Sequence, residues 1–299
     1  MPAFITHQLV SEAVIENLDD NLKNRIKDRQ MYFFGAQGGD PFYLYKYMAN
    51  SKKINFGRAL HRSEVYKTFS EFKDYIEKTE DVAFLSYVLG YITHYAVDIV
   101  FHPFVYYLIE KYRENDNKIR KRDKLHYLIE GDLDVFLFQK TRGTALKTYN
   151  YPLSFKDIQS DKLFNAYQKI YFDLCGEELE KEAFIKSIKR FFFYNRLLDD
   201  KQYKKQKVIF SVENIFNFSH VVSYLFKRET PDEKYTNVEN EVWHNLDNPE
   251  GTKNHSAAEL FEQSKELSKV LIEKFIQCLD TKASLKNDDF STDFNIGLL

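Results

Sequence analysis

The chain has 299 residues and a formal net charge of −2, because its 43 Lys and Arg nearly balance its 45 Asp and Glu. It carries no basic tail and no alternation of basic and aromatic residues, which argues against nucleic-acid binding as a primary role. Its two cysteines, Cys175 and Cys278, lie far apart and outside every motif described below, so the sequence supports neither a thiol nucleophile nor a cysteine-zinc site.

The pattern of apolar residues predicts an all-α fold, a multi-helix bundle. Only ten Gly and six Pro interrupt the chain, and long segments such as 161–175, 178–198 and 206–226 place apolar residues at three- and four-residue intervals. Residues 230–250 are expected to be a polar connection. Ser256 followed by Glu259 predicts a capping box that opens a last helix through Leu279. We predict one domain over residues 1–285 and a flexible tail over 286–299.

The chain begins with Met1 to His7, which lack the basic start and long apolar core of a secretory signal. A cytoplasmic location is therefore expected. Thr6 and His7 open the first predicted helix. Gly35, Gly38 and Gly39 then precede Asp40, without the Lys-Ser/Thr ending of a P-loop, so we expect this glycine-rich turn to present Asp40.

Residues 82–109 form a run with one formally charged residue, Asp98, that is long enough to cross a bilayer. Two histidines, the aspartate and Pro103 lie in this run, and each is costly or disruptive in lipid. The sequence thus favours a buried central helix over a transmembrane segment.

Two helical spacings in the chain suit metal ligands. His94, Asp98 and His102 are four residues apart, which aligns them on one face of a helix, and His126 and Glu130 repeat the spacing on another. A lone His on an apolar helix is more often a hydrogen-bonded core residue than a ligand. The joint pattern is more specific, since imidazole and carboxylate are the groups that catalytic zinc sites use. The candidate ligands are His7, Asp40, His61, His94, Asp98, His102, His126 and Glu130.

Taken together, these motifs resemble the zinc-dependent phospholipase C family, whose bacterial members include phosphatidylcholine-specific enzymes. The matching stretches are Thr6-His7, 34–42, 57–61, 94–102 and 126–130, with a weaker match at 243–249. The resemblance implies an all-helical fold around a polynuclear zinc cleft, of the type shared with related nucleases.

The resemblance also implies a division of ligands, with one zinc held by Asp40, His61, His94 and Asp98, a second by His102, His126 and Glu130, and a third by His7 with a bridging Asp98. Asp40 is in addition the implied group that orients or deprotonates the attacking water. Secreted members use a processed N-terminal Trp as a further zinc ligand, and no Trp precedes His7 here. The third zinc is thus held by another N-terminal group, completed by water, or absent, which gives two or three zinc ions per chain.

The leading functional hypothesis is hydrolysis of a phospholipid on the glycerol side of its phosphate by a zinc-bound hydroxide. Clustered zinc ions neutralise the charge of a phosphodiester and lower the pKa of bound water toward ~7. We expect a phosphoester substrate, transient contact with a membrane surface and a monomer. The alternatives left open are a nucleotide or nucleic-acid phosphoesterase with the same metal centre, a non-catalytic metal-binding protein, and a helical protein with fortuitous histidines.

Overall fold

The computed structural model of the protein describes residues 4–46, 55–62, 65–113, 122–216, 222–290 and 293–294. Within these residues the chain is mainly helical, as predicted, and its one sheet has two strands. The helices are α1 (Phe4–Asn17), α2 (Asp20–Lys23), α3 (Arg29–Gly35), α4 (Phe56–Arg62), α5 (Val65–Thr79), α6 (Val82–Arg113), α7 (Arg122–Arg142), α8 (Ser160–Cys175), α9 (Lys181–Leu198), α10 (Lys204–Ile215) and α11 (Ala257–Asp280). The strands are β1 (Trp243–Asn245) and β2 (Asn248–Lys253).

Helix α6 is the centre of the fold. It is 32 residues long, and nearly all of its side chains from Ala83 to Phe101 are buried because apolar residues occur on every side of it. By length and composition α6 could cross a membrane, but its most apolar 18-residue window is wholly covered by the rest of the protein. The core helix of a folded domain has the same properties.

Helix α3 crosses α6 at short distance, and two glycines make that approach possible. A Cβ on Gly35 would lie 1.9 Å from the Tyr87 carbonyl oxygen, and one on Gly90 would lie 1.8 Å from the Tyr32 carbonyl oxygen. Only glycine fits at these two positions, since each backbone occupies the space of the other's side chain. This crossing fixes the turn after α3, which carries Asp40, against the middle of α6.

Helix α11 also packs along α6, and its start confirms the predicted capping box. The Ser256 Oγ accepts a hydrogen bond from the Glu259 backbone N–H, and the Glu259 carboxylate accepts one from the Ser256 N–H at 2.8 Å. These bonds satisfy backbone donors that a helix start leaves without intrahelical partners.

Two stretches differ from the prediction. The predicted connection over 230–250 contains β1 and the start of β2, an antiparallel hairpin anchored by Trp243, whose indole N–H donates to the His255 carbonyl oxygen at 3.0 Å. The strands are short and mostly polar, so they leave no alternating pattern to detect. The helix predicted over 206–226 ends at Ile215. The Glu213 carboxylate near its end accepts hydrogen bonds from the backbone N–H groups of Val222 and Ser223 at 2.9 and 3.4 Å.

The C-terminal segment contributes to the core. Within residues 286–299, for which a flexible tail was predicted, the described Phe290 and Phe294 are each 1% exposed. Phe290 stacks on Phe69 with ring centroids 4.1 Å apart, and Phe294 packs edge-on against Tyr95 at 5.0 Å. The chain therefore returns to α6 after α11 ends.

Candidate metal centre

The Asp98 carboxylate lies at the centre of a ring of histidines. Four imidazoles direct Nε2 at its two oxygens, at 3.3 Å (His94), 3.4 Å (His7), 3.7 Å (His61) and 3.7 Å (His102). The Asp98 side chain is only 7% exposed. These distances are longer than ordinary hydrogen bonds, so the imidazoles surround the buried carboxylate without bonding tightly to it. Cations placed between these atoms would complete the arrangement.

Different helices bring these groups together. Helix α6 supplies His94, Asp98 and His102 from three successive turns of one face. His7 comes from α1 and His61 from α4. Asp40 opens a short 3-10 turn after α3, and its Oδ1 lies 3.6 Å from the His61 Nε2. Residues far apart in sequence thus converge on the middle of α6.

Helix α7 supplies the remaining candidates, His126 and Glu130. The His126 Nε2 lies 2.8 Å from a Glu130 oxygen, and both face His102. The His102 and His126 side chains are 12% and 22% exposed, whereas those of His7, His61 and His94 are at most 5% exposed. Solvent therefore reaches the His102 and His126 side of the centre, and it also reaches Asp40, whose side chain is 13% exposed.

Among the described residues, three groups of ligand atoms are close enough to hold a metal ion, with the atoms of each group within 4.8 Å of one another. They are His7/His94/Asp98, Asp40/His61/His94 and His102/His126/Glu130. All eight residues predicted from the sequence belong to these groups, and their roles as ligands stay a prediction. The structure places Asp98 beside all three groups and His94 in two, so the groups form one continuous centre.

Buried polar atoms support the fit of metal ions. The Glu130 Oε2 is buried without a hydrogen-bond partner among the described residues. Buried polar atoms are nearly always satisfied in folded proteins, so such an atom beside imidazoles is consistent with a cation site. Imidazole nitrogen with carboxylate oxygen is also the donor set of catalytic zinc.

Burial keeps four of the histidines neutral. It lowers the pKa of His7 to about 3 and that of His102 to about 4, and it lowers the pKa of His61 and, further, of His94. Neutral imidazole has a free lone pair and is the form that binds a metal. Burial also raises the pKa of Asp98, with a further contribution from the nearby Asp40 and Glu130 carboxylates. Cations would offset this concentration of carboxylates.

Glu130 behaves differently from Asp98. Burial disfavours its charged form, but the neighbouring His126, which is hydrogen-bonded to it at 2.8 Å, outweighs burial, so the pKa of Glu130 is well below its usual range. This carboxylate is therefore ionised at neutral pH and available to a cation.

Backbone carbonyls orient two of the imidazoles. The His61 Nδ1 donates to the Gly57 carbonyl oxygen at 2.7 Å, and the His102 Nδ1 donates to the Phe294 carbonyl oxygen at 2.5 Å. Since a carbonyl can only accept, each ring carries its proton on Nδ1 and presents the Nε2 lone pair to the centre. Such bonds to the far nitrogen are usual for histidines that bind metals.

The glycine-rich turn makes room for imidazoles. Gly38 has φ +52°, and a Cβ there would lie 1.9 Å from the His94 Cδ2; a Cβ on Gly39 would lie 2.8 Å from the His61 Cε1. The sequence predicted that these glycines present Asp40. The structure adds that they let the backbone pass directly against two candidate ligands.

Several neighbours of the centre could not be predicted from the sequence. The Tyr106 ring stacks on His102 at 5.4 Å and the Tyr43 ring lies 5.2 Å from His61, but aromatic residues are too frequent in this chain to single these out. Asp134 on α7 accepts hydrogen bonds from the Thr6 backbone N–H at 2.8 Å and the Thr6 Oγ1 at 2.6 Å. Asp134 thereby anchors the start of α1 next to His7.

Comparison with known proteins gives one match. A family model described as "Zinc dependent phospholipase C" matches residues 6–196, more than half of the chain. The matched region contains all eight candidate ligands. No curated protein and no solved structure matches the chain significantly.

Proposed function

The chain belongs to the zinc-dependent phospholipase C family, and from this membership we propose that it hydrolyses a phospholipid on the glycerol side of the phosphate. Membership makes it a zinc-dependent hydrolase of phosphoesters. The observation that supports the proposal is the convergence of three ligand groups on Asp98. We propose that these groups hold two or three zinc ions per chain.

Bound zinc ions supply positive charge for the phosphate and acidify water, which removes the need for a protein nucleophile. In the site, the imidazoles and the ionised Glu130 would hold the cations, and the carbonyl partners of His61 and His102 keep those two rings in the required orientation. The more exposed His102 and His126 leave the centre open on one side, from which we propose that the phosphate enters.

Asp40 is the proposed group that orients or deprotonates water. Its carboxylate adjoins His61 at the edge of the ligand cluster, and the Asp40 side chain is 13% exposed. A general base must lie within hydrogen-bond reach of the water it activates, and a carboxylate beside a metal group meets this condition. The same position also suits a ligand, so the two roles need separate measurements of zinc content and turnover.

The proposal is tested by elemental mass spectrometry of protein purified without added metal, with turnover of bis-p-nitrophenyl phosphate before and after chelation. Zinc in the protein and chelator-sensitive turnover are expected. Replacing His94 or Asp98 by Ala should remove zinc and activity together, whereas His244→Ala, a histidine outside the three groups, should retain both. Retention of zinc and activity in both ligand variants would refute the assignment of the centre.

A panel of two substrates, a phospholipid and a 3′-nucleotide, tests the substrate class. Release of the phosphorylated head group from phosphatidylcholine is expected, with little release of phosphate from a 3′-nucleotide. The opposite preference would favour the nucleotide phosphoesterase, and stoichiometric zinc without turnover of either would favour a binding protein. The cytoplasmic location and monomeric state expected from the sequence remain part of the proposal.

A further inference from the structure

Large exposed hydrophobic side chains are concentrated in the second half of α9 and in α10. Of the thirteen such side chains that the described residues expose, seven lie between residues 193 and 216. They are Phe193, Leu197, Val208, Phe210, Val212, Ile215 and Phe216. Single exposed hydrophobic residues are ordinary, but a concentration of them marks an interaction surface.

Helix α10 presents three of these residues as a stripe. Val208, Val212 and Ile215 are four and three residues apart, so they lie along one face of the helix, and they are 61%, 43% and 77% exposed. Glu213, which is buried, lies roughly a third of a turn away from this stripe at 3.6 residues per turn. The stripe is therefore the outward face of the helix.

Both ends of α10 are fixed to the body of the protein. Tyr203, the residue before the helix, is 5% exposed, and the Glu213 carboxylate accepts from the Val222 N–H at 2.9 Å. The Lys205 Nζ donates to the Leu197 carbonyl oxygen at 3.1 Å, which joins the start of α10 to the end of α9. These contacts hold the apolar stripe facing outward.

The same part of the chain is strongly basic. Residues 181–207 contain nine Lys or Arg and three Asp or Glu, a local excess of six positive charges in a chain whose net charge is −2. Lys201, Lys204, Lys205 and Lys207 are all exposed at or just before the start of α10. The apolar stripe and these lysines therefore lie on α10 and on the residues just before it.

We propose that α10, together with the end of α9, docks the protein on an anionic lipid surface; we call the stripe and its lysines the docking face. Val208, Val212 and Ile215 would enter the boundary between head groups and acyl chains. Lys204 and Lys207 would turn their ammonium groups to lipid phosphates, Lys207 by exchanging its exposed ion pair with Glu229 at 3.5 Å. The choice of a membrane as the partner rests on the proposed function, because a phospholipid substrate brings the enzyme to such a surface.

The docking face is connected to the metal centre through the segment that follows it. Lys227 forms an ion pair with Asp134, and Arg228 forms one with Asp132. Asp132 and Asp134 follow the candidate ligand Glu130 on α7, and Asp134 also binds Thr6 at the start of α1. The chain that leaves α10 is thus anchored beside the helix that carries the more exposed part of the centre.

Binding to vesicles tests the docking face. Holoprotein is mixed with phosphatidylcholine vesicles with or without phosphatidylserine, and the bound fraction is measured by flotation at low and high salt. The test variant is Val208→Ser/Val212→Ser/Ile215→Ser, and the matched control is Val238→Ser/Val242→Ser/Val270→Ser, which changes three exposed valines elsewhere. Turnover of bis-p-nitrophenyl phosphate is measured on each protein to confirm an intact centre.

Wild type and control are expected to bind the anionic vesicles, with a loss at high salt, and the test variant is expected to bind at least tenfold more weakly with unchanged turnover. A second variant, Lys204→Gln/Lys207→Gln, should lose its preference for anionic vesicles. Wild-type protein that ignores anionic vesicles, or a test variant that binds like the control, would overturn the proposal. A wild-type dimer that the test variant converts to a monomer, without vesicle binding, would assign the face to a second copy and also overturn it.

Hydrolysis of a short-chain phosphatidylcholine below its micellar concentration separates this proposal from the proposed function. Vesicle binding that depends on the stripe, without hydrolysis of that lipid, would support the docking face and count against the phospholipid substrate. Hydrolysis without vesicle binding would leave the substrate in place and remove the docking face.

Discussion

Replacing Gly38 by Ala should remove zinc from the centre. Gly38 has φ +52°, and its Cβ would lie 1.9 Å from the Cδ2 of His94. Carbon atoms in contact are about 3.5–4.0 Å apart, so the His94 ring would have to retreat by roughly 1.5 Å or more. A zinc-bound imidazole nitrogen must stay within about 2.0–2.1 Å of the metal. The retreat therefore takes His94 out of both of its ligand groups.

The size of the effect has two parts. The left-handed backbone costs Ala about 1–2 kcal/mol of folding free energy wherever it occurs. Loss of orientation at one ligand typically costs about 10–100-fold in metal affinity, and displacement of a ligand shared by two groups should cost at least the upper end of that range. Only the second part is specific to the centre.

Gly143→Ala separates the two parts. Gly143 has φ +65°, but nothing lies within 4 Å of its Cβ position, so this variant carries the backbone cost alone. Zinc affinity is measured by competition with a chromophoric chelator, and the thermal midpoint of the metal-free proteins by circular dichroism. We expect the thermal midpoint of Gly38→Ala to be similar to that of Gly143→Ala or lower. Of the two variants, only Gly38→Ala should bind zinc more weakly. Equal zinc affinity in the two variants would refute the reasoning.

Three further predictions concern catalysis, packing and pH. Asp40→Asn should keep most of the zinc and lower turnover by about 10²–10⁴-fold if the carboxylate acts as a base; parallel loss of zinc, measured on the same sample, would make Asp40 chiefly a ligand. In urea titrations, Gly90→Ala should lower the free energy of unfolding by ~1–3 kcal/mol or more, because its Cβ would lie 1.8 Å from the Tyr32 carbonyl oxygen. The control Gly131→Ala should raise it by about 0.5–1 kcal/mol, since Gly131 is helical and its Cβ position meets only the Lys227 side chain, at 3.9 Å. Metal-free protein should lose stability as the pH falls from 7 to 5, because the folded-state pKa of His7 is about 3 and that of His102 about 4, so near pH 6.5 these histidines take up protons in the unfolded chain but not in the folded one. The raised pKa of Asp98 has the opposite effect, but it concerns a single group, and a thermal midpoint that rises on acidification would contradict the prediction.

The helical character and the candidate ligands could be predicted from the sequence because they depend on local spacing. A four-residue interval places His94, Asp98 and His102 on one face of any helix, and the same interval pairs His126 with Glu130. The capping box of α11 is local in the same sense, since Ser256 and Glu259 are three residues apart. The family was likewise recognisable, because its motifs are short and carry unusual combinations of His, Asp and Gly.

The elements that the sequence missed depend on contacts between distant residues. The hairpin around Trp243 is held by a bond to the His255 carbonyl oxygen, and Glu213 near the end of α10 binds the Val222 backbone N–H. Neither contact leaves a periodic signal. The return of Phe294 to the centre is also invisible in sequence, because one more Phe in a chain with 27 of them predicts nothing.

The amino-acid sequence specifies which residues can bind a metal, on which helices they lie, and on which face of each helix. The position at which these residues come together follows from the packing of the helices. Asp98 is the shared carboxylate because His7 from α1 and His61 from α4 both reach it, and the glycines at 38 and 39 let the turn before Asp40 pass against His94 and His61. Spacing fixes directions within a helix, but distances between helices follow from which backbones can come close.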